Sequence, residues 1–253
     1  MHILLDHPFL LLVFSFGTLY LCAQMGVKFL GSHVYHVHEA RQELTTVLTA
    51  SLTLLGLIIG FSFSMAINRY DLRNQFEESE ANAIHTEYLR ADLLPAPLAA
   101  RQRQLLKTYL ALRIAFFNTY DPERLPAIDE QTAQAQAQLW AGLPAVAAAK
   151  PDPISALVVS GMNQVFDFQG STRSAWENRI PLAAWVLMGL IAMLCNGLLG
   201  FSARHLKGRV VFLVLPLLVS VAFLLIADID SPRGGGLIHV VPQNLQSLLK
   251  VLH

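Results

Sequence analysis

Hydrophobic and polar residues alternate along this chain in long blocks. Four blocks, Pro8–Val27, Leu44–Asn68, Ile180–Ala203 and Val210–Ala227, contain no Asp, Glu, Lys, Arg or His. Each approaches the roughly 20 apolar residues that a helix needs to cross a hydrocarbon core. The pattern therefore predicts transmembrane helices at 1–68 (the first two) and 180–227 (the third and fourth), separated by a polar region at 69–179. A turn and short apolar tail follow at 228–253. The polar region is rich in Ala, Gln, Leu and Glu. Prolines break it at Pro95 and Pro97, at Pro122, at Pro144, and at Pro151 and Pro153. Between the breaks apolar residues recur at helical spacing, as in Leu105, Tyr109, Leu112 and Phe116. An all-α extramembrane domain is expected. Nothing between Asn68 and Leu93 stops a helix, so the second block predicts one element from about Leu44 to Leu93.

Composition agrees with the blocks. Hydrophobic residues make up 54% of the chain and charged residues only 14%, against about 25% in soluble domains. The first block lacks the basic start and small-residue cleavage site of a signal peptide, so it is read as a retained helix. The 18 basic and 18 acidic residues balance, and no basic patch points to nucleic acid. Charge decides orientation poorly. Arg69, Arg73, Arg173, Arg179, Arg233 and Lys250 border one membrane face, and Lys28, Arg41, Arg204, Lys207 and Arg209 border the other.

Winding the second block as a helix stacks Thr46, Thr49, Thr53, Leu57, Phe61, Ser64 and Asn68 on one side. This stripe is polar at both ends and apolar in the middle, as a channel constriction that gates by dewetting requires. One copy encloses nothing, so that reading demands a symmetric oligomer. Small and hydroxylated residues also line ordinary helix contacts in membranes, and Gly56 and Gly60 supply a GxxxG. Both readings stand at this point.

Further motifs carry a resemblance. The Gly-Phe pair at 60–61 and the Arg-Tyr pair at 69–70, the stretch EANAIHTEYLRADLLP at 80–95, and DIDSPRGGGLI at 228–238 together resemble the bacterial bestrophin-like family, relatives of the bestrophin ion channels. The resemblance implies a ring, in the family manner a homopentamer, conducting small inorganic ions across the cell's inner membrane. Both termini and the helical domain would be cytoplasmic. It implies a neck at Thr53, Leu57 and Phe61, flanked by Thr46, Thr49, Ser64 and Asn68. Thr53 departs from the family's apolar pattern. It also implies a post-helix turn at Asp228, Asp230, Pro232, Arg233 and Gly234, with Arg233 standing where an aromatic is expected. The calcium-holding acidic cluster of animal bestrophins is reduced to Asp228 and Asp230, read here as turn and cap residues.

His33, His36 and His38, beside Glu39, have the chemistry of zinc or copper ligands. Their spacing fits no structural-zinc signature, and solvated or interfacial histidines explain them more simply. In a ring they would surround the outer vestibule and gain positive charge below about pH 6.5. No cofactor is expected, and no hydrolase, P-loop or dinucleotide motif suggests an enzyme. Glu77, Glu78, Glu80 and Glu87 are expected on a solvated face, or lining a vestibule where a ring of acids would attract cations. The alternative to a channel is a non-conducting scaffold or sensor that binds a partner through its cytoplasmic helices.

Overall fold

The structure is a computed structural model that describes residues 6–30, 38–149, 151–202, 211–233 and 236–252. His33, His36 and Gly234 lie outside these residues, as does the side chain of His38. The fold is all-α, with no strand among the described residues. Four helical stretches are long and apolar enough to cross a membrane: Pro8–Lys28, Glu43–Leu93, Pro153–Phe201 and Phe212–Asp230. The chain divides into two compact units, one of Met1–Arg69 with Arg179–His239, the other of Tyr70–Asn178 with Val240–His253.

The first unit contains α1 (Pro8–Met25), the first part of α2 (His38–Arg90), α7 (Leu182–Ser202) and α8 (Val211–Asp230). Pro8 opens α1 where a missing N–H costs nothing, and a π-helical turn, Gly26–Leu30, extends it. Helix α1 packs on α7 and α8. The approach to α7 requires glycine: a Cβ at Gly26 would strike the carbonyl of Gly197, and one at Gly200 would strike that of Ala23. Small residues at such crossings let helix backbones meet where no hydrophobic effect drives them together. Helix α8 continues through Pro216 and runs on to Asp230, beyond the expected end at Ala227. The turn cluster thus begins at Ser231, because Asp228 and Asp230 have partners that hold the last helical turn.

The second unit contains the remainder of α2, a 3₁₀ turn at Ala91–Leu93, α3 (Ala96–Asn118), α4 (Leu125–Trp140), α5 (Leu143–Ala149), α6 (Pro153–Glu177) and α9 (Gln243–Val251). Prolines stand in the first turns of α3, α4 and α6, so they start helices as much as they break the segment. Asp152 caps α6 by accepting from the Ser155 N–H at 2.8 Å. The buried face of α3 is Leu106, Tyr109, Leu110, Arg113, Phe116 and Phe117. Tyr109 and Phe116 of the expected stripe are buried, while Leu105 and Leu112 at its edge are only half-buried. Phe116 and Phe117 pack on Trp176 at 5.3 and 5.2 Å between ring centroids.

The expected apolar tail is in fact helix α9. Its Leu245 and Leu248 are buried in the same core as Leu106, Val158 and Met162. Leu245, Leu248, Leu249 and Leu252 have the three- and four-residue spacing of one helix face, and tertiary packing holds so short a helix in place.

Candidate functional site

Helix α2 contains no proline from His38 to Arg90, so nothing interrupts it between the apolar and polar stretches. In the first unit few of its described residues are buried within the chain. Leu48, Leu55, Ser62 and Ala66 are buried, spaced seven, seven and four apart and hence on one line. Thr46, Thr49, Thr53, Leu57, Phe61, Ser64 and Asn68 are all exposed. Leu57 is 53% and Phe61 63% accessible. A Cβ at Gly56 or Gly60 would meet nothing within 4 Å, so the GxxxG packs on no described residue of its own chain. The Thr49 hydroxyl donates to the Thr45 carbonyl at 2.9 Å and that of Thr53 to Thr49 at 3.0 Å. Such bonds leave the hydroxyl oxygens as acceptors toward whatever faces the stripe.

The membrane edge of α2 is tied to the other spans. Arg69 Nη1 donates to Asp230 Oδ1 at 3.2 Å. The same carboxylate accepts the backbone N–H of Ile180, just before α7, at 2.9 Å through Oδ2. Arg179 pairs with Asp6, whose Oδ1 also accepts the Ser231 hydroxyl at 3.3 Å. Asp230 therefore fastens the end of α8 to the starts of α7 and of the polar part of α2. Pro232 is buried beside it and Arg233 half-buried.

Asp228 does something different. Its carboxylate accepts the N–H groups of Leu237, at 2.9 and 3.0 Å, and of Ile238, at 3.0 Å, folding the loop back on the helix end. Gly236 is required there, because a Cβ would collide with that carboxylate. Both aspartates are thus structural pins. Calcium takes six to eight oxygen ligands, and these carboxylates, engaged by N–H and guanidinium donors, do not fit that role. Among the described residues no three or more His, Cys, Asp or Glu side chains gather as a metal site. The latch was legible only in part: Arg69 and Asp230 are opposite charges at ends of apolar blocks, but 161 positions separate them.

In the second unit α2 buries acids, which corrects the expectation of a solvated or vestibule-lining face. Glu77, Glu80 and Glu87 are buried, and only Glu78 is exposed. Glu80 forms a buried ion pair with Arg113 and accepts the Thr172 hydroxyl at 2.9 Å. Glu77 Oε1 accepts the Leu245 N–H at 2.9 Å and Oε2 accepts from Asn244 Nδ2 at 2.6 Å, capping α9. Burial raises the Glu77 carboxyl above its usual range, opposed by those N–H groups of α9. Glu87 lies under α6, where a Cβ at Gly161 would strike it. Burial pushes its carboxyl up to about 8, partly opposed by Arg90 at 3.8 Å. Arg73 donates to the carbonyls of Ala175 and Asn178, both at 3.1 Å, closing the C-terminus of α6.

The model of the bestrophin-like domain matches residues 19–245. The chain belongs to the bestrophin-like family. Two structures of a bacterial bestrophin homolog from Klebsiella pneumoniae, both point mutants, share the fold of this family member. One has TM-score 0.68 and 15% identity, covering 95% of this chain and 97% of that one. The other has TM-score 0.61 and 15% identity, covering 95% and 93%. A further structure, described as a membrane protein, has TM-score 0.65 and 15% identity, covering 95% and 97%. At that identity the likeness is one of fold. No curated protein sequence matches the chain. The apolar helices and the family together make this bestrophin-like chain a membrane protein.

Proposed function

We propose that this protein is an ion channel formed by a homo-oligomeric ring, five-membered in the manner of the bestrophins, with α2 lining the pore. The observation that carries the reading is the exposure of every residue of the stripe from Thr46 to Asn68, on a helix that up to Arg69 buries only Leu48, Leu55, Ser62 and Ala66 among its described residues. A lipid-facing surface has no use for a line of hydroxyls and an amide, whereas a water-filled axis does. In this reading Leu57 and Phe61 form a hydrophobic neck and Thr53 stands at one end of it. Thr46, Thr49, Ser64 and Asn68 hydrate an ion on either approach.

The second unit is the cytoplasmic domain, and both termini lie on its side of the inner membrane. Asp230 anchors the neck helix through Arg69, and Asp228 holds the loop that follows α8. Small inorganic ions and the bilayer are the partners.

The test has two stages. Particle images of the purified protein should show a five-fold ring. Flux into vesicles, with anions and cations in turn, should then rise when Leu57→Ala and Phe61→Ala are combined, because the dry segment is widened. A monomer or a two-fold dimer would overturn the reading and leave the scaffold alternative. So would unchanged flux in a double variant that still forms the ring.

A further inference from the structure

The polar part of α2 buries three acids, and they are not held alike. Glu77 accepts from Leu245 and Asn244, and Glu80 from Arg113 and Thr172. Glu87 is 1% exposed, yet its Oε2 accepts no hydrogen bond from any described residue. The guanidinium beside it, at Arg90 Nη1, stands 3.8 Å away, beyond hydrogen-bond reach. An interior without donors disfavours a carboxylate and tolerates a carboxylic acid.

The cover over Glu87 is the backbone of α6. A Cβ at Gly161 would strike both Oε2 and Arg90 Nη1, so only a glycine lets α6 lie this close. Val158, Met162 and Val165 on the same stretch are at most 1% exposed, and Oε2 is sealed from water. Charge around the carboxyl is sparse. No ionisable side chain lies on α6 at residues 158–165, or on α5, which packs on α6. Asp92 in the 3₁₀ turn pairs with Arg103 of α3. Arg103 and Lys107 lie over the Tyr88 ring, about 100° round α2 from Glu87. His85 is about 200° round the helix, and Glu80 with Arg113 about two turns away. Arg90 is left as the charge acting on Glu87, and it offsets only part of the burial that raises the carboxyl to about 8.

We propose that Glu87 and Gly161 form a proton-operated clasp in the second unit: α6 seats on α2 while the carboxyl holds its proton, and lifting α6 releases that proton to water. The clasp is tight in acid and loosens as pH rises, because the lifted carboxyl is hydrated and ionises while the covered one does not. No residue of the stripe takes part, so the clasp stands whether or not α2 surrounds a pore.

Hydrogen exchange of the full-length protein across a pH series, corrected for the intrinsic rate of each amide, tests this. Opening that releases one proton should lower the protection of α6 around Gly161 about tenfold for each pH unit between about pH 5.5 and 7.5, while the α3 amides hold. Glu87→Gln, which stays neutral, should keep α6 equally protected throughout, and Glu87→Leu serves in its place if the amide disturbs folding. Arg90→Met removes the opposing cation and should extend the fall to higher pH. Constant protection of α6 in the unaltered protein would overturn the proposal, as would the same fall in Glu87→Gln. An equal fall in α3 would overturn it too, since the unit would then be opening as a whole.

Discussion

Up to Arg69, α2 leaves Leu57 and Phe61 more than half exposed; beyond it, the same unbroken helix buries Glu77, Glu80 and Glu87. The two parts reverse the order expected of a soluble protein, and for different reasons. In the first unit the surroundings are lipid, water or other copies of the chain, so an exposed apolar side chain is a surface awaiting its cover. In the second unit the acids are admitted to the interior only because each has an assigned donor or a cation nearby. Exposure along one helix therefore reports two different solvents. The hydroxyls of the first part and the carboxylates of the second cannot be ranked on one scale of polarity.

The sharpest way to break this contrast is to remove a partner from the buried side. Arg113→Leu leaves Glu80 charged and uncompensated within the core and should cost about 3–5 kcal/mol, read as a large fall in the unfolding midpoint of the second unit. Adding Glu80→Leu should recover most of that loss, since an apolar pair needs no compensation. Next in size, Glu77→Ala removes the cap on α9 and should cost about 1–2 kcal/mol. Hydrogen exchange of the α9 amides should speed up while those of α3 hold. Glu87 gives a smaller effect that depends on pH. Its folded carboxyl titrates near 8 and its unfolded one near 4.5, so the folded state holds the proton that the unfolded state releases between them. Its contribution is full below about 4.5 and is lost as pH rises through 8. Glu87→Gln should flatten the decline in unfolding midpoint across that window. Smallest of all, Leu57→Ala with Phe61→Ala should shift the stability of the protomer by no more than about 0.5 kcal/mol, even as it raises flux. A large loss of protomer stability there would mean that the stripe packs within the chain.

The stripe of α2 was legible because three- and four-residue spacing is a local property, fixed once the segment is helical. All seven residues of that stripe are exposed, but so are Val47, Leu54, Phe63 and Met65 on other sides of the helix. The acids show where such reading fails. Glu77, Glu80 and Glu87 look like a solvated face among charged neighbours, and nothing near them in the chain announces Asn244, Arg113 or the close approach of Gly161. The α3 stripe holds at Tyr109 and Phe116 but reaches only the edge of the core at Leu105 and Leu112 for a related reason: periodicity gives an apolar side, but the neighbours decide which residue meets the core first.

What the amino-acid sequence determined alone is the set of apolar helices, the unbroken passage of α2 beyond the membrane edge, and the face that its polar and apolar residues share. Charge-free length and the absence of proline suffice for these. Only the tertiary structure decided that Asp230 holds Arg69 and Ile180, that Asp228 pins its own loop, that α9 docks under a Glu77 cap, and that α6 covers Glu87 at Gly161. Those contacts join residues far apart in the chain, so they exist only once the helices between them have packed.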